Sequence, residues 1–257
     1  MMTWILPVYS LWLRDMKDFI RRRGRVVGAI GQPFVIWIFL ASGFQNSFGG
    51  TAMAGMDYGT YLFPGVVLLI ALFAALFSTM SVIEDKKSGF MQGVLTSPAP
   101  RAAIVWGKLL AGATLALAQA VLFMVLLPWT DIRLSLSAVL LSVLVLACAG
   151  LLLTSLGLFF SWRMSSTQGF HAVMNLLLLP LWVLSGALFP VDGAAPWLAS
   201  VMELNPLYYV TVLFQRMFFL DSGTGITGGP DTMTALGVFA ATSLLMFTVT
   251  LRTVAKR

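Results

Sequence analysis

Tyr61-Leu-Phe-Pro-Gly-Val-Val-Leu-Leu-Ile-Ala-Leu-Phe-Ala-Ala-Leu-Phe-Ser-Thr-Met-Ser-Val-Ile83 contains no charged residue, and Glu84-Asp85-Lys86-Lys87 ends it. A helix that crosses a bilayer needs roughly 20 mainly apolar residues. This stretch has that length and stops at four consecutive charges. Five other segments of the 257-residue chain read the same way. They are 26–44, interrupted by Gln32-Pro33; 103–127, ended by Pro128; 134–160; 170–189, ended by Pro190; and 233–251. Hydrophobic residues make up 59% of the chain and charged residues 10%, against about 45–50% and 25% in soluble domains. A soluble fold of this size cannot hide so much apolar surface. The chain reads as a single all-α membrane domain over 1–257 with six transmembrane helices.

Charge distribution orients it. With the N-terminus in the cytoplasm, the cytoplasmic segments hold Arg14, Lys17, Arg21, Arg22, Arg23, Arg25, Lys86, Lys87, Arg101, Lys108, Arg163, Arg252, Lys256 and Arg257. Of the 16 basic residues only Arg133 and Arg216 fall outside, together with Asp57, Asp131, Asp192, Glu203, Asp221 and Asp231. A Lys/Arg bias of this kind sets orientation. It predicts a multi-pass protein of the plasma (inner) membrane with both termini cytoplasmic. The net charge of +6 then faces anionic lipid and not nucleic acid.

The N-terminus lacks the pattern of a cleavable signal. Trp4, Leu6, Tyr9, Leu11, Trp12, Leu13, Met16, Phe19 and Ile20 alternate with Arg14, Asp15, Lys17, Asp18 and Arg21. Residues 1–25 therefore read as an amphipathic helix in the interface, apolar side to lipid and charges to water. Pro7 falls near its start, or breaks it there.

Several chemistries are excluded. Gly107-Lys108 is followed by leucine and lacks the glycine-rich approach of a phosphate loop. No zinc-protease, serine-hydrolase or dinucleotide pattern occurs, so no catalytic or metal-ligating residue is assigned. Cys148 is the single cysteine and reads as a small buried hydrophobe. His171 is the single histidine, near one end of the fifth span, and reads as interfacial. The spans carry almost no ionisable groups of the sort that proton- or ion-driven transporters need. A membrane-embedded enzyme or scaffold is the disfavoured alternative.

Two loops stand out. In 84–98 the charges come first, and Phe90, Met91, Val94 and Leu95 follow at helical spacing, which predicts a short amphipathic helix ended by Pro98. Between spans five and six, Ala195-Pro196-Trp197-Leu198 and Leu204-Asn205-Pro206-Leu207-Tyr208-Tyr209 are apolar pieces too short to cross. They predict short extracytoplasmic interfacial or re-entrant helices. Gly223, Gly225, Gly228, Gly229 and Pro230 mark a turn into the last span.

The run Glu84-Asp85-Lys86-Lys87-Ser88-Gly89-Phe90-Met91-Gln92-Gly93-Val94-Leu95-Thr96-Ser97-Pro98-Ala99-Pro100-Arg101, followed by Gly107-Lys108, resembles the cytoplasmic loop of ABC-2 type transporter permeases. These are the membrane subunits of drug-resistance, Nod-factor and polysaccharide ABC exporters. A second match is Ser185-Gly186-Ala187-Leu188-Phe189-Pro190, followed by Trp197-Leu198 and Asn205-Pro206-Leu207-Tyr208. Many relatives have Thr after the first loop's glycine and Glu two residues later; here Phe90 and Gln92 stand there, and Gly93 follows.

The resemblance implies that 84–98 is a coupling helix that docks on a separate ABC ATPase subunit. Glu84, Lys86, Lys87, Gly89, Phe90, Met91, Val94, Leu95 and Pro98 carry that contact. It further implies two copies of the chain with two ATPases, ATP and Mg bound by the partner and no cofactor in this chain. The transport path, lined by spans two and five, is then framed by Phe73, Phe77, Ser78, Thr79, Gln168, Met174, Asn175 and Trp182. That weakly polar, aromatic lining suits export of a hydrophobic or amphipathic molecule (drug or lipid-like). A polysaccharide or lipid-linked glycan is the alternative cargo.

Overall fold

The computed structural model describes residues 2–21, 23–44, 57–130, 132–221 and 228–255. Among these the regular elements are all helical. Asp131, Gly223, Gly225, Lys256 and Arg257 lie outside the described residues, as do the side chains of Arg22, Arg23, Arg25 and Gln32.

Among the described residues eleven α-helices follow one another: α1 (Met2–Arg21), α2 (Arg23–Phe44), α3 (Tyr58–Ser78), α4 (Met80–Lys87), α5 (Phe90–Thr96), α6 (Arg101–Met124), α7 (Leu136–Arg163), α8 (Thr167–Trp182), α9 (Pro196–Glu203), α10 (Pro206–Phe218) and α11 (Thr232–Ala255). Among the described residues five helical stretches are long and apolar enough to cross a membrane: Tyr58–Lys87, Arg101–Trp129, Leu136–Arg163, Thr167–Ala187 and Thr232–Ala255. Among the described residues, these stretches match five of the six predicted spans. The predicted span 26–44 lies in α2, in which Pro33–Phe44 is an apolar stretch among the described residues.

Helix α3 is the axis of the molecule. Every residue from Tyr58 to Leu72 is buried, as befits a helix that is apolar all round. Lipid tails are as apolar as leucine, so what holds such a helix is close packing and hydrogen bonding, not the hydrophobic effect. Both are present. Trp37 Nε1 donates to Gly59 O at 3.1 Å, Trp182 Nε1 to Gly65 O at 2.7 Å and Tyr61 Oη to Gly186 O at 2.7 Å. The rings of Trp37, Phe63 and Phe123 meet edge-on or stacked, with centroids 5.3–6.1 Å apart. A Cβ on Gly112 of α6 would lie 2.4 Å from Thr154 of α7 and 2.6 Å from Ser78, so glycine lets α3, α6 and α7 approach.

The two ends of the bundle differ in charge. Asp57 caps α3, Asp231 caps α11, and Asp221 accepts from Ser135 N at the start of α7, at 2.9 Å. The opposite end gathers cations. Lys86 Nζ donates to the carbonyls of Ser161, Trp162 and Met164 at 2.6–3.0 Å, closing the C-terminus of α7. Arg101 does the same for α11 through Ala255 O at 2.7 Å. Cations at helix C-termini satisfy both orphan carbonyls and the helix dipole.

Between α8 and α11 the chain forms a short π-helical turn, Val183–Ala187, then α9 and α10. Asn205 fixes the corner: its Oδ1 accepts from Leu207 N at 3.0 Å and its Nδ2 donates to Leu181 O at 2.7 Å.

Candidate functional site

At the basic end a smaller core of Leu11, Val82, Met91, Ile104, Val105, Leu109, Leu158, Trp162 and Val254 is separate from the main one. It joins α1, α4, α5, α6, α7 and α11. Helix α1 spans Pro7 without a break. Its Leu11 sits against Gly107 of α6, where a Cβ would come within 2.9 Å of the Leu11 Cβ and 3.1 Å of Val8 O. Glycine at 107 is thus the seat on which α1 crosses α6.

The next residue, Lys108, is 3% exposed. A lysine has three donors, and all three are used. Nζ lies 2.7 Å from Asp85 Oδ2, 2.9 Å from the Asp15 carboxylate and 3.1 Å from Ser81 Oγ. Arg14 grips Asp85 from the other side with both terminal nitrogens, at 3.0 and 2.6 Å. Its guanidinium also lies 3.8 Å over the Phe90 ring, a cation–π geometry. One cluster thereby links α1, α4 and α6 and touches the first residue of α5. A cleft of about 640 Å³ opens beside it, bordered by Tyr9, Lys17, Asp18 and Glu84.

Two sequence expectations are corrected here. Asp15 does not face water: it is buried against Lys108, and burial pushes its carboxyl above the ordinary range while Lys108 pulls it back. Leu11 does not face lipid but the smaller core. The outward apolar residues of α1 are Trp4, Ile5, Leu6, Tyr9 and Ile20. Lys108, counted in sequence among the cytoplasmic charges, is an interior residue of α6. The signals for this cluster were in the sequence. A lysine and two aspartates flanking apolar runs have to be paired if buried; what the sequence lacked was their distance.

Helix α5 starts at Gly89, whose φ of +78° is a left-handed conformation that glycine adopts without strain. The coupling residues part company there. Met91 is 2% exposed and points into the smaller core, so it belongs to the attachment of α5 and not to a free apolar face. Val94 and Leu95 are half-buried against the same core. Phe90 is occupied by Arg14 on one side and remains exposed on the other. Outward lie Gln92, Gly93, Thr96, Ser97 and Pro98. Lys86 is engaged with the α7 carbonyls, Lys87 is exposed, and Glu84 is half-buried at the cleft.

The predicted path residues also divide. Met174 and Trp182 are buried in the main core, and Thr79 is buried with its hydroxyl on Leu76 O. None of these three lines an open surface. Ser78 is half-buried and bonds Ala75 O. Gln168 and Asn175 are exposed on α8, in one stripe with His171, Ala172, Leu176 and Leu179. The half-buried Phe77 ring lies 4.8 Å from His171 and 5.5 Å from Phe73. Phe73, Phe77, Gln168 and Asn175 thus share one face formed by α3 and α8.

Comparison with known proteins follows the same geometry. A family model described as ABC-2 type transporter matches residues 7–219, from α1 through α10. The chain is 27% identical over 209 residues to "Putative transport permease ycf38" of Porphyra purpurea, covering 80% of this chain and 71% of that protein. It is 25% identical over 207 residues to the protein of the same description from Cyanophora paradoxa, with the same coverages. To "Probable multidrug ABC transporter permease YbhR" of Escherichia coli (strain K12) it is 23% identical over 172 residues, covering 66% of this chain and 47% of that protein. It thus spans about half the length of that relative. A family match over most of its length, with five helices among the described residues long and apolar enough to cross a membrane, makes this chain a member of the ABC-2 type transporter family, a membrane subunit for transport.

Proposed function

We propose that this chain is the permease of an ATP-driven exporter that moves a hydrophobic or amphipathic molecule out of the cytoplasm or the inner leaflet of the plasma membrane. Two copies work with two ABC ATPase subunits, which carry ATP and Mg. The basic end faces the cytoplasm, in keeping with the Lys/Arg bias. On this reading α2 is the sixth span, its apolar Pro33–Phe44 part packed along α3 through Trp37, and both termini are cytoplasmic.

One observation carries the reading: α5, a short helix hinged at Gly89, abuts a buried ion cluster that bonds three other helices together. A push on α5 reaches Phe90 and Met91. Phe90 passes it to Arg14, Asp85 and Lys108, and so to α1, α4 and α6. Met91 passes it to the packed core below. Packed elements switch between discrete arrangements instead of deforming smoothly. Export then follows as the face formed by α3 and α8 changes its access, with Phe73, Phe77, Gln168 and Asn175 against cargo. Polar side chains such as Asn175 and Gln168, exposed on a membrane helix, need a partner or a path more than they need lipid.

The test is reconstitution of the chain with its ATPase subunit in liposomes. ATP-dependent movement of a fluorescent amphipathic dye is followed. Gly93→Pro, which removes the Gly93 N–H bond to Gly89 O and so breaks α5 at an exposed position, is expected to abolish dye movement while the chain still folds. Transport at the unaltered rate by that variant, or by the chain without any ATPase, refutes the reading.

A further inference from the structure

Beside α5, on the side away from α1, a groove of about 420 Å³ runs between α4–α5 and the turn that joins α7 to α8. Its floor is apolar: Met91 and Trp162 are buried, and Leu95 and Met164 are half-buried. Its rim carries Lys86, Lys87 and Arg163, and no carboxylate lines it. Lys86 is engaged with three carbonyls of the turn, which fixes one wall of the groove against the other. Lys87 and Arg163 are exposed, and neither forms an ion pair with a carboxylate among the described residues. Arg163 is braced 3.8 Å over the Phe159 ring, which orders its guanidinium in advance of any partner.

We propose that this groove receives an acidic, apolar-tipped segment of the ATPase subunit, so that the α7–α8 turn shares the partner's footprint with α5. The inference rests on the functional reading above and names the chemistry of its contact. A preformed apolar floor takes one bulky side chain. Two cations on the rim, with no neutralising carboxylate, select a negatively charged neighbour. The arrangement also gives the partner direct hold on the start of α8, the helix that carries Gln168 and Asn175. Force then reaches that face without first passing through α3.

The experiment uses the complex of the chain with its co-expressed ATPase subunit. A benzophenone amino acid is placed at Gln92, on the outward side of α5, or at Ser165, in the turn. Both positions are expected to crosslink to the ATPase, and mass spectrometry should place the Ser165 product beside an Asp or Glu. In parallel, Lys87→Glu with Arg163→Glu is expected to lower recovery of the complex about three- to tenfold at low salt. That is the range for two partly exposed ion pairs. The difference should shrink in 0.5 M salt, where the screening length falls below about 5 Å. Crosslinking at Gln92 but not Ser165, or only to lipid at Ser165, overturns the groove while leaving the coupling role of α5 intact. Failure at both positions, with the complex still formed, overturns the coupling reading itself. Size-exclusion profiles of the double variant alone separate misfolding from lost contact; if it misfolds, Arg163→Gln replaces it, with recovery unchanged counting against the proposal.

Discussion

Asp85 is held from two sides at once, by both terminal nitrogens of Arg14 at 2.6 and 3.0 Å and by Lys108 Nζ at 2.7 Å. Asp15, the other carboxylate on Lys108, lacks the bidentate grip: Arg14 comes no closer to it than 3.7 Å. The two aspartates should therefore respond differently to the same change. Asp85→Asn leaves Arg14 and Lys108 short of charge in a buried place, and removing one partner of a buried pair costs about 3 kcal/mol or more. Asp15→Asn leaves Lys108 paired with Asp85 and removes a carboxylate whose charged form burial disfavours, so it should cost no stability at neutral pH. Thermal unfolding of the detergent-solubilised variants measures both, and equal losses contradict the assignment.

Asp15 also predicts an unusual pH response. Burial raises its carboxyl above the ordinary range. For an acid whose folded value is raised, the stabilising contribution is fully present below the unfolded value and fades as pH rises through the folded one. Acidification from neutrality should thus relieve strain at Asp15. Asp15→Asn, which cannot ionise, should melt above the parent at neutral pH, and that difference should narrow as pH falls toward 4. A gap that widens with acid gives the opposite sign and rejects the burial argument.

Gly107 and Leu11 make a sharper local test. A Cβ at 107 meets backbone of α1 at 3.1 Å, and overpacking of this sort typically costs about 1–3 kcal/mol. Gly107→Val should lift α1 off α6. With Cys148 replaced by alanine, Leu11→Cys should be protected from a thiol reagent in the parent and labelled at least tenfold faster beside Gly107→Val. Equal protection in both backgrounds means α1 is seated elsewhere.

Asn175 and Met174 are neighbours with opposite surroundings, one exposed and one fully buried. Asn175→Cys should react with a small membrane-permeant thiol reagent in liposomes, and the modified complex should lose dye export. Met174→Cys should stay unreactive, and its truncated side chain should cost about 2 kcal/mol through the cavity left behind. Reaction at 174 instead of 175 places the open face on the wrong side of α8.

Much of this molecule can be read from its residues alone. Membrane residence follows from 59% apolar and 10% charged composition, because no soluble core absorbs such a surface. The charge difference between the two ends of the bundle follows from where the lysines and arginines fall between apolar runs. Helix α5 follows from the spacing of Phe90, Met91, Val94 and Leu95, since helical period is a local property.

What stayed hidden is which way each apolar or charged side faces. An amphipathic pattern states that a helix has two sides, not whether protein, lipid or a partner covers each. So Leu11 and Met91, read as outward, face the core. Met174 and Trp182, read as lining a path, are packed away. Asp15, read as facing water, is buried against Lys108. Partners for buried charge come from helices distant in sequence, and their distances exist only once the chain has folded, which is why the ion cluster at the heart of this protein belongs to its packing and not to any one motif.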